Sequence, residues 1–312
     1  MKMRKDPDML NVSTSGSTMS ALKFIPLFVL AIVLGIGHQP DALAATDAAA
    51  VQAVPSEETV FLPTGDLFKP LLADPKEPRF YLSYRLFKYK SEDIHAMVGG
   101  YGEIFGLYRH TDNSGGYNWQ ANFGGGIHAQ FDLDAPSFAL VNTDYTIGFP
   151  FSFRKGNISY RFSLYHQSSH LGDEYLLNNQ VERLELSYEA VSLVGSYEWR
   201  KWRVYYGGEY IIHQGPTDIK PVAAQGGVEY YATKAGVGGG RLICGWDLKS
   251  DQEHDWTLNS SVKVGLQFDS SVPNGRYIRV FGEGYKGFSP YGQFYTSASR
   301  MAYLGIGVAL GF

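Results

Sequence analysis

From Arg79 to Phe312 apolar and polar residues alternate along the chain with a period of two, the signature of strands with two unlike faces. Between Tyr117 and Asp132, Tyr117, Trp119, Ala121, Phe123, Gly125, Ile127, Ala129 and Phe131 share one face, and Asn118, Gln120, Asn122, His128 and Gln130 share the other. Residues 256–269 repeat it: Trp256, Leu258, Val262, Val264, Leu266 and Phe268 oppose Thr257, Asn259, Ser261, Lys263, Gln267 and Asp269. Strands this long and this regularly two-faced predict an apolar side against lipid and a polar side against a lumen.

The same reading predicts about twelve strands, near 79–89, 93–109, 117–133, 138–153, 157–168, 181–199, 202–213, 222–231, 240–248, 256–268, 276–285 and 298–312. The apolar face changes parity near Val191, which a bulge accommodates without ending the strand. The expected fold class is all-β, a transmembrane antiparallel barrel. An even strand count puts both barrel ends in the periplasm. The last strand alternates Leu304, Ile306, Val308 and Leu310 with glycine and alanine and ends at Phe312, which resembles the assembly signal of outer-membrane proteins. The barrel-assembly machinery and outer-membrane lipid are thus the expected partners. A two-sheet sandwich or a soluble closed barrel would bury one strand face, and strands of this length argue against both.

The region before Arg79 breaks the pattern. Lys2, Arg4, Lys5 and Lys23 precede an apolar run from Phe24 to Gly37, and Ala42-Leu43-Ala44 supplies a small-residue cleavage site. The run is too short for a spanning helix. Residues 1–44 therefore read as a signal peptide for export, with Ala45 as the mature start and Met19 as an alternative initiation site. Residues 45–78 carry Pro55, Pro63, Pro70, Pro75 and Pro78, which forbid a long helix. They read as a periplasmic N-terminal segment whose Phe61, Leu62, Leu67, Phe68, Leu71 and Leu72 dock on something, the barrel included, and residues 79–312 as the barrel.

Charge narrows the function classes. Of 312 residues, 27 are basic and 31 acidic, a formal charge of −4 that gives no basic surface for nucleic acid. Cys244 is the single cysteine, so no intramolecular disulfide forms. No cofactor motif or metal set is read. The inward parity carries Arg85, Arg161, Arg183, Arg203, Arg241, Lys263 and Arg279 against Glu103, Asp144, Glu185, Glu189, Glu209, Glu229, Asp247 and Glu283. Balanced signs favour a lumen closed by ion pairs, with a binding or envelope-structural role, over the one-sign rings of a selective channel. A narrow polar pore is the alternative.

The densest chemistry lies at Tyr165-His166-Gln167-Ser168-Ser169-His170-Leu171-Gly172-Asp173-Glu174-Tyr175, at the external end of the fifth strand. The outward parity of Ile158, Tyr160, Phe162 and Leu164 carries His166 and Ser168 outward. If Leu164 faces Leu184, Glu182 falls opposite His166, joining a nucleophile (Ser168), a base (His166) and an orienting acid (Glu182). His170, Asp173, Glu174, Lys249 and Gln293 are candidate binding residues of an external mouth. Asp173 and Glu174 with His170 read as a solvated loop rather than a cation site.

His166-Gln167-Ser168 resembles the outward-facing His-x-Ser motif of outer-membrane phospholipase A and the lipid A deacylase. That resemblance implies a membrane-facing serine hydrolase acting on phospholipid or lipid A acyl esters. It departs at Ser169, where those enzymes carry Asn, and at Gln180, near where they place the third residue. Across roughly residues 60–312, Phe61-Leu62-Pro63, Leu67-Phe68, Ala73-Asp74-Pro75, the Tyr165–Tyr175 stretch, Asp247-Leu248-Lys249-Ser250 and Gly292-Gln293-Phe294-Tyr295 resemble a bacterial envelope family known only as a domain of unknown function. That implies an outer-membrane barrel and no activity.

Overall fold

The computed structural model describes residues 57–89, 92–179, 181, 183–215, 218–271, 275–296 and 300–311. Residues 1–56, with the expected cleavage site, and Phe312 lie outside this set. A short strand β1 (Glu57–Phe61) comes first, followed by β2 (Phe80–Tyr89), β3 (Glu92–Asp112), β4 (Asn118–Asp132), β5 (Leu140–Lys155) and β6 (Ile158–Leu171). A helix, α1 (Asp173–Asn179), leads to β7 (Leu186–Trp199), β8 (Trp202–Gln214), β9 (Val222–Tyr231) and β10 (Arg241–Asp251). The last three strands are β11 (Asn259–Asp269), β12 (Tyr277–Gly287) and β13 (Met301–Gly311).

Strands β2 to β13 pair antiparallel in chain order, β13 returns to β2, and β3 pairs with β4, so the twelve strands close into a barrel. Their positions follow the period-two reading closely, because a strand crossing lipid must keep one apolar face along its whole span. The outward face exposes Phe149, Phe151, Phe153, Leu304, Ile306 and Val308, while Arg85, Asn122, Arg203, Asp247 and Lys263 are buried inside. This inverts the arrangement of a soluble protein, and an apolar belt of that extent needs lipid to cover it. No described helix is long and apolar enough to cross a membrane; the strands do the crossing.

The tight Gly156–Asn157 and Arg200–Lys201 turns lie at the end where β2 starts and β13 finishes, and the 172–185, 215–221 and 288–300 connections lie at the other. These are called here the terminal end and the loop end.

The largest departure from the sequence reading concerns the segment before the barrel. β1 pairs with β3 from Glu57↔Asp112 to Phe61↔Tyr108, and Leu62 N–H donates to Leu107 O at 3.1 Å. The chain then enters the lumen and returns to the wall at β2. Residues 66–77 touch inward side chains of most of the surrounding strands, which only a segment inside the barrel can do. Arg154 (β5) donates to Leu67 O at 2.7 Å, and Glu229 (β9) accepts from Leu72 N–H at 2.5 Å. Lys76 pairs with Asp144 (β5), and Arg161 (β6) grips Glu77 with two bonds of 2.6 and 2.8 Å. Gln225 (β9) donates to Asp74 at 2.9 Å. Phe68, Leu71 and Leu72 are fully buried, and burying such side chains contributes about 1.5–3 kcal/mol each. Gly245 on β10 leaves room for this segment: a Cβ there would stand 3.2 Å from Leu72 and Ala73. The described part of the stretch read as periplasmic is therefore a wall strand followed by a stopper.

The inner face also needs correction. Glu103 lies on the outward parity of β3 beside exposed Tyr101 and Phe105. Glu189 is outward as well, and Arg183 sits before β7 and meets His170. β7 keeps one parity throughout, with Leu186, Ala190 and Val194 buried and Leu193 and Tyr197 exposed. The irregularity near Val191 belongs to the β7–β8 pairing, where Glu189↔His213 is followed by Ala190↔Ile211, leaving Ile212 as the extra residue on β8.

Candidate functional site

Two regions concentrate chemistry: a patch on the outer wall near the loop end, and the loop-end half of the lumen.

On the wall, β6, β7 and β8 run side by side. His166 is paired with Glu189, and Glu189 with His213. His166 Nδ1 lies 2.8 Å from Glu189 Oε1, and His213 Nδ1 lies 2.6 Å from Glu189 Oε2. One carboxylate thus holds two imidazoles by the same ring nitrogen and leaves both Nε2 atoms toward the surroundings. Ser168 shares the outward face of His166, opposite Ser187. It makes no hydrogen bond among the described residues, so it is not joined to His166. Glu182, the expected orienting acid, lies outside the described residues. Leu164 faces Val191 rather than Leu184, which brings Glu189 to the position opposite His166. Sequence reasoning missed this because residues 173–179 form α1, so β7 begins only at Leu186. Glu189 shares the parity of the exposed Leu193 and Tyr197 further along the same strand, and that was the available signal.

The other candidate residues do not gather at one mouth. His170 is on the outer wall, 2.7 Å from an Arg183 nitrogen and edge-on to Tyr145. Asp173 and Glu174 open α1 on the surface, where Ser137 donates to Glu174. Gln293 is a buried clamp: its amide donates to Ser169 O at 2.6 Å and Leu184 O at 2.8 Å, and accepts from Leu184 N–H at 3.1 Å. Lys249 alone faces the lumen, 3.7 Å from Glu209.

Gln293 belongs to the connection after β12, whose residues 288–296 fold inward from the loop end. Gly292 N–H reaches the Asp144 oxygens at 3.2 and 3.3 Å, and Arg85 donates to Tyr291 Oη at 2.6 Å. A Cβ on Gly292 would collide with Ser169 at 2.7 Å, so only glycine fits this seat. Asp144 therefore receives the stopper's Lys76 from one side and the inward loop from the other. His254 pins the same loop: Nδ1 meets Asp251 at 2.6 Å, Nε2 meets Tyr295 O at 2.8 Å, and the ring stacks on Phe288. Partial burial opposes its charge, but the bond to Asp251 and that carboxylate's field outweigh burial and raise its pKa.

Between stopper and loop a chamber remains. It has lobes of about 190 and 160 Å³, and Asp74, Lys76, Tyr188, Glu209 and Lys249 line both. The smaller lobe is also lined by Lys220, Glu253, His254 and Tyr295 of the loop end.

A closed twelve-stranded antiparallel barrel with an apolar outer belt and a polar filled interior defines a protein of the outer-membrane barrel class. The chain belongs to the family of proteins of unknown function DUF1207, whose model matches residues 34–312. No curated protein matches it in sequence. Its fold is similar to the calcium-bound dimer of the Salmonella typhi outer membrane phospholipase (TM-score 0.51, 12% identity, covering 77% of this chain and 94% of that one). It is also similar to outer membrane phospholipase A from Escherichia coli (TM-score 0.49, 14% identity, 76% and 93%). A third likeness is to the β domain of the Bordetella autotransporter BrkA (TM-score 0.38, 13% identity, 75% and 99%).

Proposed function

We propose that this protein is a non-conducting outer-membrane barrel with a binding role at its loop end. The terminal end faces the periplasm and the loop end the exterior, as the two longest connections between barrel strands, those after β6 and β12, at the loop end favour. Export through residues 1–44 and insertion by the barrel-assembly machinery through the strand ending at Phe312 are parts of the same reading. The carrying observation is the seating of residues 66–77 in the lumen, with Glu77 on Arg161, Lys76 on Asp144 and Leu72 on Glu229. A segment so anchored argues against the narrow pore. Planar-bilayer recordings test the point: the account expects no steady single-channel conductance, and regular open levels from the intact protein would restore the pore.

A second reading, a membrane-facing serine hydrolase, is favoured by one contact. Glu189 holds His166 by Nδ1, as an orienting acid holds a general base, with Ser168 two residues on along the same face. Ser168 would be nucleophile, His166 base and Glu189, in place of Glu182, the orienter. Release of fatty acid from phospholipid and lipid A is compared between the protein and Ser168→Ala. Activity that disappears in the variant supports this reading; equal release, or none from either, removes it.

A further inference from the structure

The lumen chamber has a charge pattern that its own side chains leave incomplete. Each cation lining it has an ion-pair partner, and Lys249 also lies in the field of Asp74 and Asp247. Lys76 is bound to Asp144, Arg161 to Glu77, Lys249 to Glu209, Lys220 to Asp255 and His254 to Asp251. Arg79, just behind the tip of the stopper, spends its guanidinium on the backbone carbonyls of Leu71, Leu72 and Asp74. Three lining carboxylates, Asp74, Asp247 and Glu253, have no ion pair of their own among the described residues. Asp74 and Asp247 converge on one amide, Gln225 Nε2, which donates to each at 2.9 Å; Tyr205 Oη also donates to Asp247 at 2.6 Å and Lys76 N–H to Asp74 at 2.8 Å. Among the described residues Glu253 accepts only the Lys220 N–H, at 3.0 Å.

Carboxylates gathered in a cavity cost energy unless a positive charge joins them. The walls suggest its kind. Tyr188, Tyr285, Tyr291 and Tyr295 line the smaller lobe, and tyrosine rings attract ammonium and guanidinium groups. A bare metal ion fits poorly, because no group of three or more histidine, cysteine or acidic residues among those described has metal-binding geometry. The volume admits a small molecule, and the loop-end residues of the smaller lobe give it an entrance.

We propose that the chamber binds a small organic cation, an aliphatic amine or polyamine, with Asp74, Asp247 and Glu253 taking its N–H donors and the tyrosines covering its carbon chain. This rests on the closed-lumen reading, since in a conducting lumen the chamber would be part of the pore.

The test is calorimetric titration of the full exported chain, in a non-ionic detergent, with spermidine, and with citrate and maltose as anionic and neutral comparators. Saturable binding of spermidine alone is expected, weakening with salt. Asp247→Asn combined with Glu253→Gln should weaken it at least about tenfold. Lys249→Gln removes the nearest positive charge and should tighten it, a gain that a misfolded variant cannot mimic. Absence of spermidine binding, preference for citrate or maltose, or indifference to all three substitutions would overturn the proposal. Bilayer recordings on the same preparation separate the two failures: a silent barrel that ignores spermidine loses only the ligand, whereas a conducting one loses the closed lumen.

Discussion

The two halves of the lumen are built from the same residue types and differ in whether packed side chains or a chamber surround them. In the terminal half the stopper packs Phe68 beneath the guanidinium groups of Arg161 and Arg203, at 4.8 and 4.5 Å from its ring, and against Val194 and Tyr205. Glu77 takes two bonds from Arg161 and Glu229 one from Arg203 Nη1, while the stacked Phe68 ring covers the Arg203 Nε and Nη2 that find no hydrogen-bond partner among the described residues. In the loop half Asp74, Asp247, Glu209 and Lys249 border empty space. Buried charge that is paired and covered is structural; charge that borders a cavity is available to a ligand. The outer wall repeats the lesson, since Glu189 holds two histidines by Nδ1 and, among the described residues, their Nε2 atoms have no hydrogen-bond partner.

The filled half should be the more sensitive to substitution. Glu77→Ala strands Arg161 in the lumen and should cost about 3–5 kcal/mol. Phe68→Ala opens a cavity between two arginines and should cost about 3–5 kcal/mol. Urea unfolding in lipid vesicles measures both, and losses near zero would mean that the stopper contributes no packing.

In the hollow half the effects should be smaller and local. Gln293→Ala removes three hydrogen bonds that seat the inward loop, costing about 1–3 kcal/mol. Amide exchange should rise across 288–296 and stay unchanged on β5 and β6. A uniform rise would show that the loop is not a separate unit.

His254 makes the loop's seat pH-dependent. Its folded pKa is raised, so its contribution is complete below the ordinary histidine value of about 6.5 and is lost as pH climbs through the raised folded value. Deprotonation leaves one ring N–H for two acceptors, Asp251 and Tyr295 O. Exchange in 288–296 should therefore be faster at about pH 8.5 than at about pH 5.5 once corrected for intrinsic rates. His254→Phe should abolish that dependence, and a dependence that survives the substitution would assign the effect elsewhere.

The smallest effect is expected on the wall. Ser168 holds nothing in place, so Ser168→Ala should change stability by less than about 0.5 kcal/mol. A larger loss would give it a structural partner.

The strands were legible because lipid demands unbroken two-face alternation, which runs from Trp119 and Ile127 outward to Gln120 and His128 inward without a gap. The stopper was not, because a segment inside a lumen has no period. Its prolines hid what Phe68, Leu71 and Leu72 do, although Lys76 and Glu77 complement the inward Asp144 and Arg161. The wall site was half legible. His166 and Ser168 followed from β6, but Leu184, Leu186 and Tyr188 imitated an outward stripe. Leu186 is instead buried near Gly292, and Tyr188 lines the chamber. That imitation sent Glu189 to the wrong face. The chamber has no sequence signature, since it depends on which buried charges find partners.

The account rests on closure of the lumen by residues 62–79, and current across a planar bilayer measures that directly. The intact exported chain should insert without conductance, while Phe68→Ala with Glu77→Ala should give intermittent openings as the stopper loosens. Steady conductance from the intact chain, unchanged by those substitutions, would contradict it.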